Sequence, residues 1–206
     1  MHRPQGVGLM KFASIRVRRC LAVACLTLAA AGAAQPCGFE DPDSVAGQRS
    51  VMNLAFPDSA WVSTAIWQAQ KAGDLPLDAL PRRDDLTPQA RASLQFTRIT
   101  WLINSLARRL DVPPGEIDRP AIAVVLMESM LWSRVEPRDG AFAARARIHV
   151  SGPEPGDVVL VTDAPAIQAI VSGGMGFERA EQLGLVRLYG SAAQVGAVQA
   201  WLGSAN

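Results

Sequence analysis

The chain has 206 residues, 49% of them hydrophobic and 19% charged, and a formal net charge of +1. That is enough apolar material for a buried core, and it excludes a disordered or strongly basic chain. Three cysteines and two histidines leave little for a disulfide framework or a metal centre.

The N-terminus reads as an address. Arg3, Lys11, Arg16, Arg18 and Arg19 precede an apolar run over residues 21–30, and small residues follow at 31–34. Positive charge, a short apolar core and a small-residue exit make a secretory signal peptide, here 1–34. The run is too short for a stable membrane anchor. The expected product starts near Ala34 or Gln35, is periplasmic or secreted, and keeps no transmembrane segment. Its inventory differs from the whole chain. With five cations gone, 15 Lys+Arg face 19 Asp+Glu, a formal net charge of −4. Such a domain has no electrostatic reason to bind nucleic acid or an anionic membrane. Only Cys37 and His149 remain of their kinds, so no metal site is expected, and no C-x-x-C-H motif attaches haem. Arg18-Arg19 also fits a twin-arginine signal, which leaves the export route open. Ala34-Gln35-Pro36 before Cys37 is wrong for a lipoprotein anchor.

Helical signals fill 35–86, read as an N-terminal helical segment and linker. Asp43-Ser44 can cap a short helix to about residue 54, and Pro57 interrupts. A second helix spans 59–72, with Val62, Ile66 and Ala69 on one face and Gly73 as its stop. Trp61 and Trp67 lie off that stripe and suggest burial on more than one side. Pro76, Pro81 and the charge pairs at 82–85 mark a loop.

From 87 onward the pattern is α+β. Thr87-Pro88 supplies a capping residue followed by proline in the first turn. Phe96, Ile99, Ile103, Leu106 and Leu110 then form one apolar stripe, with Arg91, Arg98 and Arg108 on other faces. Residues 122–127 are continuously apolar, and Trp132 and Val135 continue the segment. A doubly buried strand fits, as does a helix beginning at 118–120, and periodicity alone leaves both open. Ala146, Ile148 and Val150 alternate with Arg145, Arg147 and His149, a half-exposed strand. Residues 158–161 read as a further strand. A helix capped by Thr162 or Asp163 runs to Gly173, with Ile167, Ile170 and Val171 facing in. A short helix over 177–183 ends at Gly184, and 185–189 is a strand. Ser191 and Gln194 form a capping box for a last helix with Val195, Val198 and Leu202 inside and Trp201 beside them. The fold class expected is α+β, N-terminal helices followed by a small, mostly antiparallel sheet covered by helices.

The order over 157–202 resembles the end of the sterol carrier protein type 2 family. The matching pieces are Val158-Val159-Leu160-Val161-Thr162-Asp163, Ile170-Val171-Ser172-Gly173, Ala180 and Gly184-Leu185-Val186-Arg187-Leu188-Tyr189-Gly190. The resemblance covers about 45 residues. Its motifs are glycines and apolar positions, and the helices up to Ala72 have no counterpart in the family. It implies, for 87–206, a five-stranded sheet covered by helices with an apolar tunnel between the layers, and it transfers no ligand residue. A lipid site needs concave apolar surface and few polar groups. Met127, Met130, Met175, Phe177 and Trp201 are candidates to line one, or else to fill the core.

Few residues suggest chemistry. His149 has no orienting partner in sequence, and Cys37 nothing to lower its pKa. Glu128 interrupts an apolar run, so it can carry a raised pKa or hold Arg134 or Arg145 across a sheet. G-x-S-x-G, phosphate-loop and dinucleotide motifs are absent. The expectation is a non-catalytic exported protein that binds a hydrophobic small molecule or lipid, without a cofactor. The rival is an accessory module whose tryptophan-rich N-terminal helices dock onto a periplasmic protein.

Overall fold

The computed structural model describes residues 42–77, 86–110, 119–137 and 144–203. The expected signal segment, Cys37 and the charge pairs at 82–85 lie outside them. The described residues belong to one compact unit.

Three helices lead. Helix α1 (Pro42–Ala55) contributes Met52 to the core, and α2 (Ser59–Ala72) buries Ser59, Val62, Ile66 and Ala69 on one face. Gly73 ends α2 with φ of +85°, a left-handed conformation that costs glycine little. Phe56, between the two helices, stacks at tilted angles on Trp132 and Tyr189, with centroids 6.2 and 5.3 Å away. Helix α3 (Pro88–Arg109) is capped by Thr87, whose Oγ1 accepts the amide of Ala90 at 3.2 Å. It buries Ile99, Leu102, Ile103, Leu106 and Ala107. The buried side chains of α1–α3 belong to the same hydrophobic cluster as those of the sheet.

The sheet has five strands: β1 (Ile122–Leu126), β2 (Leu131–Glu136), β3 (Arg145–Val150), β4 (Val158–Thr162) and β5 (Arg187–Tyr189), in the order β3-β2-β1-β4-β5. β1 and β4 are parallel neighbours and the other pairs are antiparallel. The two strands that are apolar at nearly every position, β1 and β4, sit in the middle and are buried on both faces. β2 alternates buried and half-buried positions, and β3 is an edge guarded by Arg145 and Arg147. The 122–135 ambiguity resolves as a hairpin. β1 ends at Leu126, a turn occupies 127–130, and Trp132 and Val135 belong to the returning strand. Met130 turns the chain with φ of +51°. His149 also has positive φ, +64°, where the pairing of β2 with β3 slips by one residue. It is the extra residue of a β-bulge, and histidine is among the types that tolerate this region.

The C-terminal elements follow the predicted order. α4 (Ala164–Val171) is capped by Asp163, α5 (Phe177–Gln182) precedes Gly184, and α6 (Ala192–Gly203) starts at the Ser191–Gln194 box. In that box the Ser191 amide donates to Gln194 Oε1 and the Gln194 amide to Ser191 Oγ, both at 3.3 Å. α3 packs on α4 and against β3, while α2 lies against β4. The architecture is α+β, as the pattern of the sequence predicts.

Candidate functional site

The five residues nominated as a ligand lining are packed with their neighbours. Met127, Met130, Phe177 and Trp201 are at most 3% exposed, and Met175 is half-buried against the same cluster. They come from a turn, a loop and two different helices. Arg119 lies over the Trp201 ring, 5.1 Å from its centroid.

Two clefts open instead around the β1–β2 turn and the start of α4. One, of about 140 Å³, is lined by Arg91, Gln95, Arg98 and Ile99 of α3, by Glu128 and Ser129 of the turn, and by Asp163 and Ala164. The other, of about 260 Å³, is lined by Arg49, Ser63, Ile66, Trp67, Gln70, Glu128, Asp163 and Pro165. Glu128 and Asp163 are common to both, and none of the five nominated residues lines either.

Local sequence explains how this place is built. Arg91, Gln95 and Arg98 recur at i, i+4 and i+7, which sets them in one row on α3. The turn is pinned to its surroundings. The Met127 amide donates to the Thr162 carbonyl at 3.0 Å, and the Glu128 amide to Asp163 Oδ2 at 2.8 Å. Arg49 of α1 donates from Nε to the Met127 carbonyl at 2.7 Å and from Nη2 to the Glu128 carbonyl. Arg98 donates to Gln168 Oε1 of α4. Asp163 does two jobs, since its Oδ1 accepts the Ala164 amide at 3.1 Å. Ser129 is 8% exposed, and its Oγ has no hydrogen-bond partner.

A second feature lies on the helices. Among the described residues, the large hydrophobic side chains that remain exposed are Val51, Leu54, Trp61, Trp67, Leu77, Leu94 and Trp101, all within α1–α3 or just after α2. Trp61, Trp67 and Trp101 are 63%, 55% and 57% exposed. This corrects the expectation that Trp61 and Trp67 are buried: they flank a stripe too narrow to reach them. Lys71 sits 4.1 Å from the Trp67 ring centroid. Leu94 and Trp101, seven residues apart, share the face of α3 opposite its buried stripe.

The other candidates fall apart spatially. Glu128 is exposed at the turn rather than enclosed. Arg134 is not its partner. That guanidinium binds Asp157 at 2.8 Å, Glu154 at 3.1 Å and Glu136, and these acids, Asp157 foremost, hold its pKa above the usual arginine range. Arg147 joins Glu136 and Glu154 at 3.2 and 3.5 Å. His149 is exposed on the β3 edge and lines neither cleft. Among the described residues, no group of three or more His, Cys, Asp or Glu side chains is placed to hold a metal ion. Nor is any helix there long and apolar enough to cross a membrane.

No model of a known protein family matches the chain, and no curated protein does. Among solved structures it is similar to the stereoselective inverting sec-alkylsulfatase Pisa1 from Pseudomonas sp., at 20% identity and a TM-score of 0.33, over 57% of this chain. A double mutant of that sulfatase gives 21% identity and a TM-score of 0.32 over 54% of this chain. The chain spans only 16% and 15% of those two proteins.

Proposed function

We propose that this chain is an exported, non-catalytic module that docks onto a protein partner through helices α1–α3. One observation carries the reading: the large apolar side chains left in solvent among the described residues all belong to that helical part. Single exposed leucines need no explanation, but three tryptophans more than half exposed on two helices do. Tryptophan and arginine are the side chains that dominate binding energy at protein interfaces. The charge of these helices points to the partner's chemistry. Arg49, Lys71, Arg91, Arg98, Arg108 and Arg109 outnumber Asp43, Asp58 and Asp74 among the described residues 42–77 and 86–110. The fitting partner therefore presents apolar surface within an acidic rim.

The test is affinity capture of the tagged protein from the exported fraction, followed by light scattering of the isolated complex. A complex of defined stoichiometry that weakens with salt, and that a Trp61→Ser/Trp67→Ser/Trp101→Ser variant of unchanged circular dichroism no longer forms, supports the reading. A complex indifferent to the triple substitution overturns it, as does adsorption to anionic vesicles in place of any protein.

A second reading keeps the lipid carrier. Five strands under helices are the architecture that the sterol carrier resemblance implies, and this supports it. To admit a lipid, the side chains of Met127, Met130, Phe177 and Trp201 would have to separate. Organic extraction with native mass spectrometry decides: a stoichiometric lipid supports this reading, and a ligand-free mass from freshly purified protein removes it.

A further inference from the structure

The cleft between α3 and the β1–β2 turn has the makings of a ligand site. Its α3 wall is the row Arg91, Gln95 and Arg98. The Arg91 guanidinium makes no hydrogen bond or ion pair among the described residues. Opposite stands the turn, pinned through Thr162, Asp163 and Arg49 so that its position is set before anything binds. In that wall Ser129, more than nine-tenths buried, carries a hydroxyl with no partner. A buried hydroxyl without a hydrogen bond costs about 1–3 kcal/mol of stability, and a bound ion or ligand is one thing that can complete it.

We propose that this cleft binds a small oxyanion, with Arg91 and Arg98 supplying charge and Ser129 Oγ supplying a hydrogen bond. Guanidinium groups match the oxygen geometry of carboxylate and phosphate. Ser129 lines the cleft, and its buried Oγ has no other hydrogen-bond partner to give up. Two carboxylates also line the cleft. Asp163 already has both oxygens engaged by backbone amides, and Glu128 stands at the exposed rim. Arg49 beside the turn adds a third cation to the neighbourhood. A cleft of about 140 Å³ has room for a phosphate, a short carboxylate, or the single acidic side chain of a partner.

The experiment is thermal unfolding and calorimetric titration of the purified protein with three probes: inorganic phosphate, acetate, and an acetylated, amidated tetra-glutamate peptide. Sodium chloride at matched ionic strength is the control. Saturable stabilisation by at least one probe, larger than sodium chloride gives, is expected. Arg91→Gln and Ser129→Ala should each weaken that binding about tenfold or more, since a hydrogen bond to a charged group is lost. Without ligand, Ser129→Ala should melt no lower than the parent. That combination separates a ligand-directed hydroxyl from a structural one. Tighter binding of the peptide assigns the site to a partner's acidic side chain, and tighter binding of phosphate or acetate assigns it to a free ion. Stabilisation that merely follows ionic strength overturns the site, as does an affinity that both variants keep.

Discussion

The backbone amide of Glu128 donates to Asp163 Oδ2 at 2.8 Å, joining the first hairpin of the sheet to the start of α4 across 35 residues of chain. The other carboxylate oxygen of Asp163 caps α4. One side chain therefore fixes both a helix terminus and the wall shared by the two clefts. Asp163→Ala should cost about 2–4 kcal/mol, combining a lost N-cap with an orphaned buried amide. Asp163→Asn, which keeps one acceptor, should cost less than half of that. Urea unfolding monitored by circular dichroism measures both, and equal losses would show that the acceptor asparagine keeps contributes nothing.

Arg134 holds the second buried electrostatic centre. It sits 16% exposed among Asp157, Glu154 and Glu136, and the Asp157 side chain is only 2% exposed. Removing the cation strands a buried carboxylate, so Arg134→Ala should destabilise by about 3–5 kcal/mol. Salt should barely change the loss, because pairs this enclosed are poorly screened. Arg147→Ala, at a more exposed partner of the same acids, should cost about 1 kcal/mol or less and respond to salt. Denaturant midpoints at low and high sodium chloride test the contrast.

What the sequence reveals and what it hides divide along the line between local and non-local physics. Thr87-Pro88, the Ser191–Gln194 box and Gly73 are signals complete within one turn of chain, and each lands where its chemistry places it. The run over 122–127 has no period to read, and Met127 and Met130 flank the turn with apolar side chains, so the hairpin is invisible in one dimension. The clefts are hidden for a different reason. Their walls come from α1, α2, α3, the β1–β2 turn and the α4 cap, which only tertiary packing assembles. The row Arg91, Gln95, Arg98 is visible as a helical face, but nothing local says that Ser129 stands across from it. The off-stripe position of Trp61 and Trp67 is visible too. Whether off-stripe means a second buried side or solvent depends on what packs there, and only the structure supplies it.

Tyr189 makes stability depend on alkaline pH. Its hydroxyl donates to the Pro57 carbonyl at 2.6 Å, and burial raises its pKa above the usual phenol value. The folded state thus keeps the proton where the unfolded chain releases it. Below about pH 10, the unfolded phenol value, the contribution is complete, and it fades as pH climbs through the folded value. Tyr189→Phe should lose about 1 kcal/mol at pH 7 and show a flatter decline from pH 9 to 11 than the parent. Urea midpoints across that range, paired with phenolate absorbance, give the answer. An unchanged alkaline slope would mean that another group is responsible.

Phe177 and Trp101 are both large aromatic residues, and their surroundings predict opposite consequences of the same change. Phe177 begins α5 at 3% exposure within the main cluster, while Trp101 projects from α3 at 57%. Truncation of Phe177 to alanine removes buried area and leaves a cavity that the packed neighbours cannot fill, a loss of about 3–5 kcal/mol. Trp101→Ala removes little that folding buries, so the stability change should stay within about 0.5 kcal/mol. The second variant should also be more soluble at high concentration, because an exposed apolar face promotes self-association. If Phe177 lined a vacant lipid tunnel, its truncation would enlarge a space already present and cost far less. A small loss for Phe177→Ala would thus favour the carrier reading over the docking module. A large loss for Trp101→Ala would mean that a part of the chain outside the described residues packs over that face. Chemical denaturation of the two variants beside the parent distinguishes these outcomes.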